Sequence, residues 1–263
     1  MRTPDEQLEF FRTKLGKTQP RQPLDLFRAD LMRSNLDVMW AALKAAEAFV
    51  QRTKRAAPDS RQAVLHNYDV AAAAIAQMYP VFFVFESAWR TYVATRLDVI
   101  YGGRDWWHGV RDLVAQGADT SCVATLGTLP ARPSVVRLLT QILSMIPRPS
   151  DLETTFELTE QATLKGLEGL IDHHWTDMSQ PFTDTMSLGR TTSTQFLSLF
   201  KRVRDARNDA FHQRVVANRA DVVKAAEQLV DLLNVHMGDR VAAIAGAKVA
   251  PLQFTVVREK RHG

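Results

Sequence analysis

The stretch Val81–Tyr101, VFFVFESAWRTYVATRLDVIY, decides the fold class. Phe82, Phe85, Trp89, Tyr92, Val93 and Leu97 recur at spacings of three and four, which lines one side of a helix and does not alternate as a strand would. Gly102-Gly103 supplies a stop, and Pro80 ends or kinks whatever precedes it. Ser60 to Gln77 reads as a helix ahead of it, opened by the break and N-cap at Pro58-Asp59-Ser60. Leu24–Arg55 carries Leu31, Leu36, Met39, Trp40, Leu43, Ala46 and Val50 on one stripe and predicts one long helix. Downstream, a short helix from about Asp105 to Gln116 holds Trp106 and Trp107. Helical pattern returns at Leu158–Trp175 and Thr192–Phe211, and a last long helix is expected from Asn218, its N-cap, to about Ala245.

Between Gly117 and Ser150 the texture changes. Pro130, Pro133, Pro147 and Pro149 bracket one helix, roughly Ser134–Ile146. This region is expected to be an insertion or lid, since it has no core of its own. Strand character is confined to the tail Leu252–Arg258. The expected architecture is a single all-α domain. It comprises N-terminal helices over residues 1–58, a helical core over about 60–116 and 158–245, an irregular insertion over 117–157, and a short extended C-terminal tail.

The chain has 263 residues, 46% hydrophobic and 24% charged, enough for a substantial core. Its one cysteine, Cys122, excludes an intramolecular disulfide and any cysteine-built zinc or iron–sulfur site. No hydrophobic leader follows Met1. The most apolar run, Val70 to Phe85, is interrupted by Gln77 and Pro80 and is too short to cross a bilayer. A soluble, cytoplasmic protein with no membrane partner is expected.

The net charge of +4 is unevenly placed. Between Lys201 and Arg219 six cations (Lys201, Arg202, Arg204, Arg207, Arg214, Arg219) meet two anions (Asp205, Asp209), and the rest of the chain balances. A focused basic patch suits a polyanionic partner, although a solvated helix face has the same composition. Inside this window stands Arg207-Asn208-Asp209-Ala210-Phe211-His212. On a straight helix, positions five apart differ by about 140°, so Arg207 and His212 converge only through a bend or a second subunit. Asn208 and His212 can touch at i,i+4, and an amide beside an imidazole can fix its tautomer and orientation. The arginine fork suits a phosphate. Together these three side chains suffice for metal-free phosphodiester chemistry on RNA, whose 2′-hydroxyl is the nucleophile.

The string Leu199-Phe200-Lys201-Arg202-Val203-Arg204-Asp205-Ala206-Arg207-Asn208-Asp209-Ala210-Phe211-His212 resembles the signature of HEPN domains. A second stretch, Phe85-Glu86-Ser87-Ala88-Trp89-Arg90 followed by Tyr101-Gly102-Gly103-Arg104-Asp105-Trp106-Trp107, is similar to the E-x-x-x-R … Y-G-x-x-x-W-W segment of Abi-like HEPN proteins. Together the two cover under half of Phe85–Met237. The resemblance implies an all-α, usually dimeric domain. Many members are metal-independent ribonucleases of toxin–antitoxin, abortive-infection and antiviral systems.

Carried onto this chain, Arg207 would stabilise charge on phosphorus, His212 would act as general base or acid, and Asn208 would orient. Glu86 would pair with Arg90 as a plain i,i+4 bridge or with Arg207. RNA would lie along Lys201, Arg204 and Arg214, with no cofactor or metal. A homodimer is expected, and with it a cognate antitoxin or defence-system protein as partner. Where some HEPN toxins carry a modifiable tyrosine two residues after the histidine, this chain has Arg214. The alternative function is a catalytically silent HEPN-like helical module that binds RNA or a protein.

Three weaker features point elsewhere. His173-His174 project to different helix faces and read as a helix-end pair rather than metal ligands. Trp106-Trp107 read as core packing rather than base stackers. Gly102-Gly103 lacks any nucleotide-binding frame.

Overall fold

The computed structural model describes residues 2–15, 24–53, 60–182 and 191–247, and over these the protein is all-α. The expected extended tail Leu252–Arg258 and the Pro58-Asp59 break lie outside the described residues. Helix α1 (Pro4–Phe10) runs into a π-helical turn, Phe11–Leu15, and α2 (Leu24–Arg33), α3 (Leu36–Thr53) and α4 (Ser60–Ala76) follow. Then come α5 (Tyr79–Tyr101) and α6 (His108–Ala115), and two-residue strands β1 (Thr125–Leu126) and β2 (Leu129–Pro130) that pair antiparallel. The chain continues through α7 (Pro133–Ser144), α8 (Thr155–Gln161), α9 (Leu164–His173), α10 (Trp175–Ser179), α11 (Ser193–Phe211), α12 (Arg219–Asp231) and α13 (Met237–Gly246).

Helix α5 is the axis of the bundle and packs against every helix from α8 to α13. Its stripe is buried as the spacing predicts: Phe82, Phe85, Trp89, Val93 and Leu97 lie in the main core, with Tyr92 half-buried at its edge. Trp89 packs edge-on against Phe196 of α11, with ring centroids 4.9 Å apart. Gly102 closes α5 in the left-handed region (φ +80°), where a side chain would be strained. Gly127, also left-handed, turns the β1–β2 hairpin so tightly onto the end of α5 that a Cβ would collide with the Tyr101 carbonyl. A second, smaller core joins Phe11, Phe27, Leu31, Met39, Leu43 and Val64 in the N-terminal helices. Tyr68 of α4 packs against both cores and accepts a hydrogen bond from the Asn35 amide at 3.2 Å.

Three of the long helices expected from the sequence are broken. Leu24–Arg55 divides at Ser34-Asn35, where the Asn35 carboxamide oxygen accepts from the Asp37 and Val38 amides, both at 3.0 Å, and caps α3. Leu158–Trp175 divides twice, first at Ala162-Thr163, where the Thr163 hydroxyl caps α9, and again at His174. The expected helix from Asn218 to Ala245 divides between Asp231 and Met237, where Asn234 is left-handed. Asn218 does precede α12, but in the left-handed region and without a side-chain capping bond.

The Pro-rich segment is not a lid. Leu126, Val135, Val136, Leu139, Ile142 and Leu143 belong to the main core, and α7 packs against α6 and α9. Its apolar residues complete a core contributed mostly by other segments, which is why it reads in sequence as having none of its own. Among the described residues, one stretch, Ser60–Tyr101, contains a window apolar enough by length and composition to cross a membrane. The turn at Gln77-Met78 divides that stretch into α4 and α5, and the inward face of α5 is core.

Candidate active site

Helix α11 carries the basic motif, and its start is fixed locally. The Thr192 hydroxyl accepts from the Gln195 amide at 3.3 Å, and the Gln195 carboxamide oxygen accepts in return from the Thr192 amide at 3.1 Å, a capping box. Phe196, Phe200, Val203, Ala206 and Ala210 form its buried stripe. That stripe sets Arg204 and Arg207 along the border between core and solvent, facing α9 and α5.

Arg207 is held on two sides. Its Nε donates to Glu86 Oε1 at 2.6 Å, and its guanidinium carbon stands 3.9 Å from the ring centroid of Phe211, one turn later. The other oxygen of Glu86 lies 3.1 Å from Arg90 Nη2. Arg90, 8% exposed, donates from Nη1 to the carbonyls of Thr159, Glu160 and Ala162, which are terminal acceptors of α8. Glu86 therefore makes both contacts that the sequence left as alternatives, and one carboxylate serves two guanidinium groups. Asn208 accepts weakly from Arg207 Nη1 at 3.5 Å. Arg207 Nη2 has no protein partner among the described residues, so the fork keeps a donor edge for an anion. Phe211 in turn meets Tyr79 edge-on at 5.3 Å, and the Tyr79 hydroxyl donates to the Ala210 carbonyl at 3.2 Å.

Two grooves meet at this arginine and share Arg90 and Glu160 as well. One, of about 320 Å³, is lined by Tyr79, Phe83, Ser87 and Phe211. The other, of about 400 Å³, is lined by Lys165, Arg204, Asn208 and the first turn of α9, whose dipole adds positive potential.

The remaining expected site residues fall outside this centre or change role. His212 is the C-cap of α11, exposed, with its amide donating to the Asn208 carbonyl at 3.0 Å. It lines neither groove and makes no hydrogen bond to Arg207 among the described residues. Gln213 turns left-handed (φ +54°) and the Arg214 amide closes back on the Asp209 carbonyl at 2.7 Å. Among the described residues, Arg207 and His212 of one chain share neither a groove nor a hydrogen bond. Lys201 is exposed with no ion-pair partner among the described residues. Arg214 is exposed and 3.8 Å from both Asp37 and Asp209.

Arg204, expected among the RNA-binding cations, is instead buried, 9% exposed. It forms an ion pair with Glu168 and donates to Asp205 at 2.8 and 3.0 Å, so two carboxylates already occupy its fork.

The histidine and tryptophan pairs are structural. His174 is 1% exposed. Its Nδ1 lies 2.7 Å from the Leu170 carbonyl and its Nε2 2.7 Å from the Tyr101 hydroxyl. A carbonyl only accepts, so Nδ1 carries the proton and Nε2 accepts from Tyr101. Burial foremost, helped by Arg132 and His173, pushes its pKa down to about 4. Trp106 stacks on Tyr101 at 4.2 Å, and its indole donates to the Thr155 hydroxyl at 2.9 Å. Among the described residues no cluster of three His, Cys, Asp or Glu could hold a metal.

Sequence reasoning missed Tyr79, Phe83 and the aromatic role of Phe211. Phe83 was legible as an apolar residue off the buried stripe of α5, and Phe211 as the i+4 neighbour of Arg207. No protein-family model matches the chain, and no curated protein and no solved structure matches it either.

Proposed function

We propose that the protein is an endoribonuclease of HEPN type that works without a metal or cofactor, as a toxin or antiviral-defence effector. The observation that carries this reading is Arg207. It is braced by Glu86 and Phe211 at the meeting of two grooves, inside the basic window Lys201–Arg219, with one donor edge still open. That edge suits a phosphate oxygen, and bracing removes the reorganisation that would otherwise accompany charge stabilisation at phosphorus.

The reaction needs three acts from the protein. A general base takes the proton of the 2′-hydroxyl as that oxygen bonds to phosphorus. Arg207 meets the charge that grows on the equatorial oxygens. A general acid protonates the 5′-oxygen as its bond to phosphorus breaks. The products are a 2′,3′-cyclic phosphate and a 5′-hydroxyl, with no water consumed. His212 is the proton carrier in this account, and Asn208, four residues before it, orients its ring. His212 of the same chain lies away from the groove, so the site is completed by a second copy of this chain across an isologous interface. Lys201 and Arg214 hold flanking phosphates, and a cognate antitoxin or defence partner controls access.

The exposure of His212 outside the groove also favours a second reading, a catalytically silent module that binds RNA or a protein. Incubating cellular RNA with the protein in EDTA and identifying the ends separates the two. Cleavage leaving cyclic phosphate and 5′-hydroxyl ends supports the enzyme. RNA bound but left intact supports the silent module.

A further inference from the structure

We propose that the aromatic groove beside Arg207 is a slot for one unpaired RNA base, so that the protein takes single-stranded rather than duplex RNA; this deepens the ribonuclease reading and rests on it. Three large rings from two helices are left in solvent around this one concavity. Phe83 is 64% exposed, Phe211 51% and Tyr79 38%. Isolated exposed apolar residues need no explanation, but rings converging on one groove are a stacking surface. Phe211 already stacks on Arg207, and the adjoining groove carries Lys165, Asn208 and the positive end of α9.

The two halves, aromatic and cationic, therefore join at the residue that would hold the scissile phosphate. A chain passing Arg207 can lay a phosphate in one half and the neighbouring base in the other. The Ser87 hydroxyl and the exposed Glu160 carboxylate line the slot and can bond a base edge. Glu86 is engaged by its two arginines. A base in an A-form duplex is stacked and paired, and its faces cannot enter such a slot without being unstacked. The rival occupant is a second copy of this chain, and the cationic half beside the rings favours RNA.

The test uses a fluorescent, unstructured oligoribonucleotide carrying 2′-O-methyl riboses, which blocks cleavage, and the same strand paired to its complement. Both are titrated by anisotropy in EDTA at fixed salt. Wild type is expected to bind the single strand about tenfold more tightly than the duplex. Phe83→Ala and Phe211→Leu should each weaken single-strand binding about tenfold and leave duplex binding unchanged. Phe83 also borders the larger groove between α5 and α13. Ile244→Ser, confined to that groove, is the control and should change neither. Circular dichroism confirms that each variant folds.

If the aromatic variants bind as wild type does while Lys201→Ala still weakens binding, the slot is wrong and the RNA reading stands. If wild type binds neither probe, the RNA reading fails and the slot with it. If Phe83→Ala turns a wild-type dimer into a monomer by light scattering, the rings are a subunit contact and the inference is overturned.

Discussion

Replacing Arg204 by Ala separates a structural cation from an RNA-binding one. Arg204 and Glu168 are 9% and 8% exposed, and their ion pair bridges α11 and α9. Removing one member of a buried pair strands the other, which typically costs about 3–5 kcal/mol. Lys165 Nζ, 3.4 Å from Glu168 Oε1 and itself well exposed, partly compensates the stranded carboxylate. The expected loss is therefore near the lower figure, about 3 kcal/mol, or roughly 6–12 °C in Tm for a domain of this size. Thermal and urea unfolding followed by circular dichroism measure it. Arg204→Met with Glu168→Leu should recover most of the loss, because an apolar pair leaves no charge uncompensated. The slope of log binding constant against log salt for single-stranded RNA should not change in Arg204→Ala. A variant that loses under about 1 kcal/mol while its salt slope falls by about 0.7 would refute the assignment, and Arg204 would be a phosphate contact after all.

Lys201→Ala and Arg214→Ala, by contrast, should each reduce that salt slope by about 0.7 with little change in Tm, read by binding titrations at several salt concentrations. Arg207→Lys should recover little of the cleavage lost in Arg207→Ala, since an ammonium cannot bond Glu86 and an anion with one planar fork; initial rates on RNA in EDTA decide it. His174 gives a pH dependence of stability. Its pKa is about 4 in the folded protein against an ordinary 6.5, so the unfolded chain binds the extra proton first. Its contribution is complete above pH 6.5 and is lost as pH falls toward 4, by about 3 kcal/mol in all. Urea unfolding at pH 7, 5.5 and 4 should show that loss, and His174→Gln should flatten it.

What was legible in the sequence came from signals carried by neighbouring residues. Pro80 and Gly102 delimit α5, and Thr192 with Gln195 starts α11, because each acts within a turn of its own position. The break at Ala162-Thr163 has no proline and no glycine. It is stabilised by Arg90 on α5, which bonds carbonyls 69 to 72 residues away, and no local pattern records such a partner. The same holds for Arg204. Its place in a basic run suggested solvent, and only the packing of α11 on α9 reveals Glu168. At the site, the motif from Arg207 to His212 was legible as residues and as a spacing that does not converge. The Glu86–Arg207 contact spans 121 positions and was reachable only through the resemblance. The aromatic groove is not legible in sequence, because the pattern marks Phe83 as lying off the buried stripe but does not place Phe211 beside it.

The central claim is that Arg207 of one chain and His212 of another form a ribonuclease site, and mixing two inactive variants tests it directly. Arg207→Ala and His212→Ala are unfolded together, refolded together, and assayed on RNA in EDTA. A mixed dimer holds one site in which both residues are intact, so cleavage should return to about a quarter of the wild-type rate while each variant refolded alone stays inactive. A wild type that cleaves beside a mixture that does not, with mixed dimers present, would contradict the shared site. A His212→Ala protein as active as wild type would remove the histidine from the chemistry altogether.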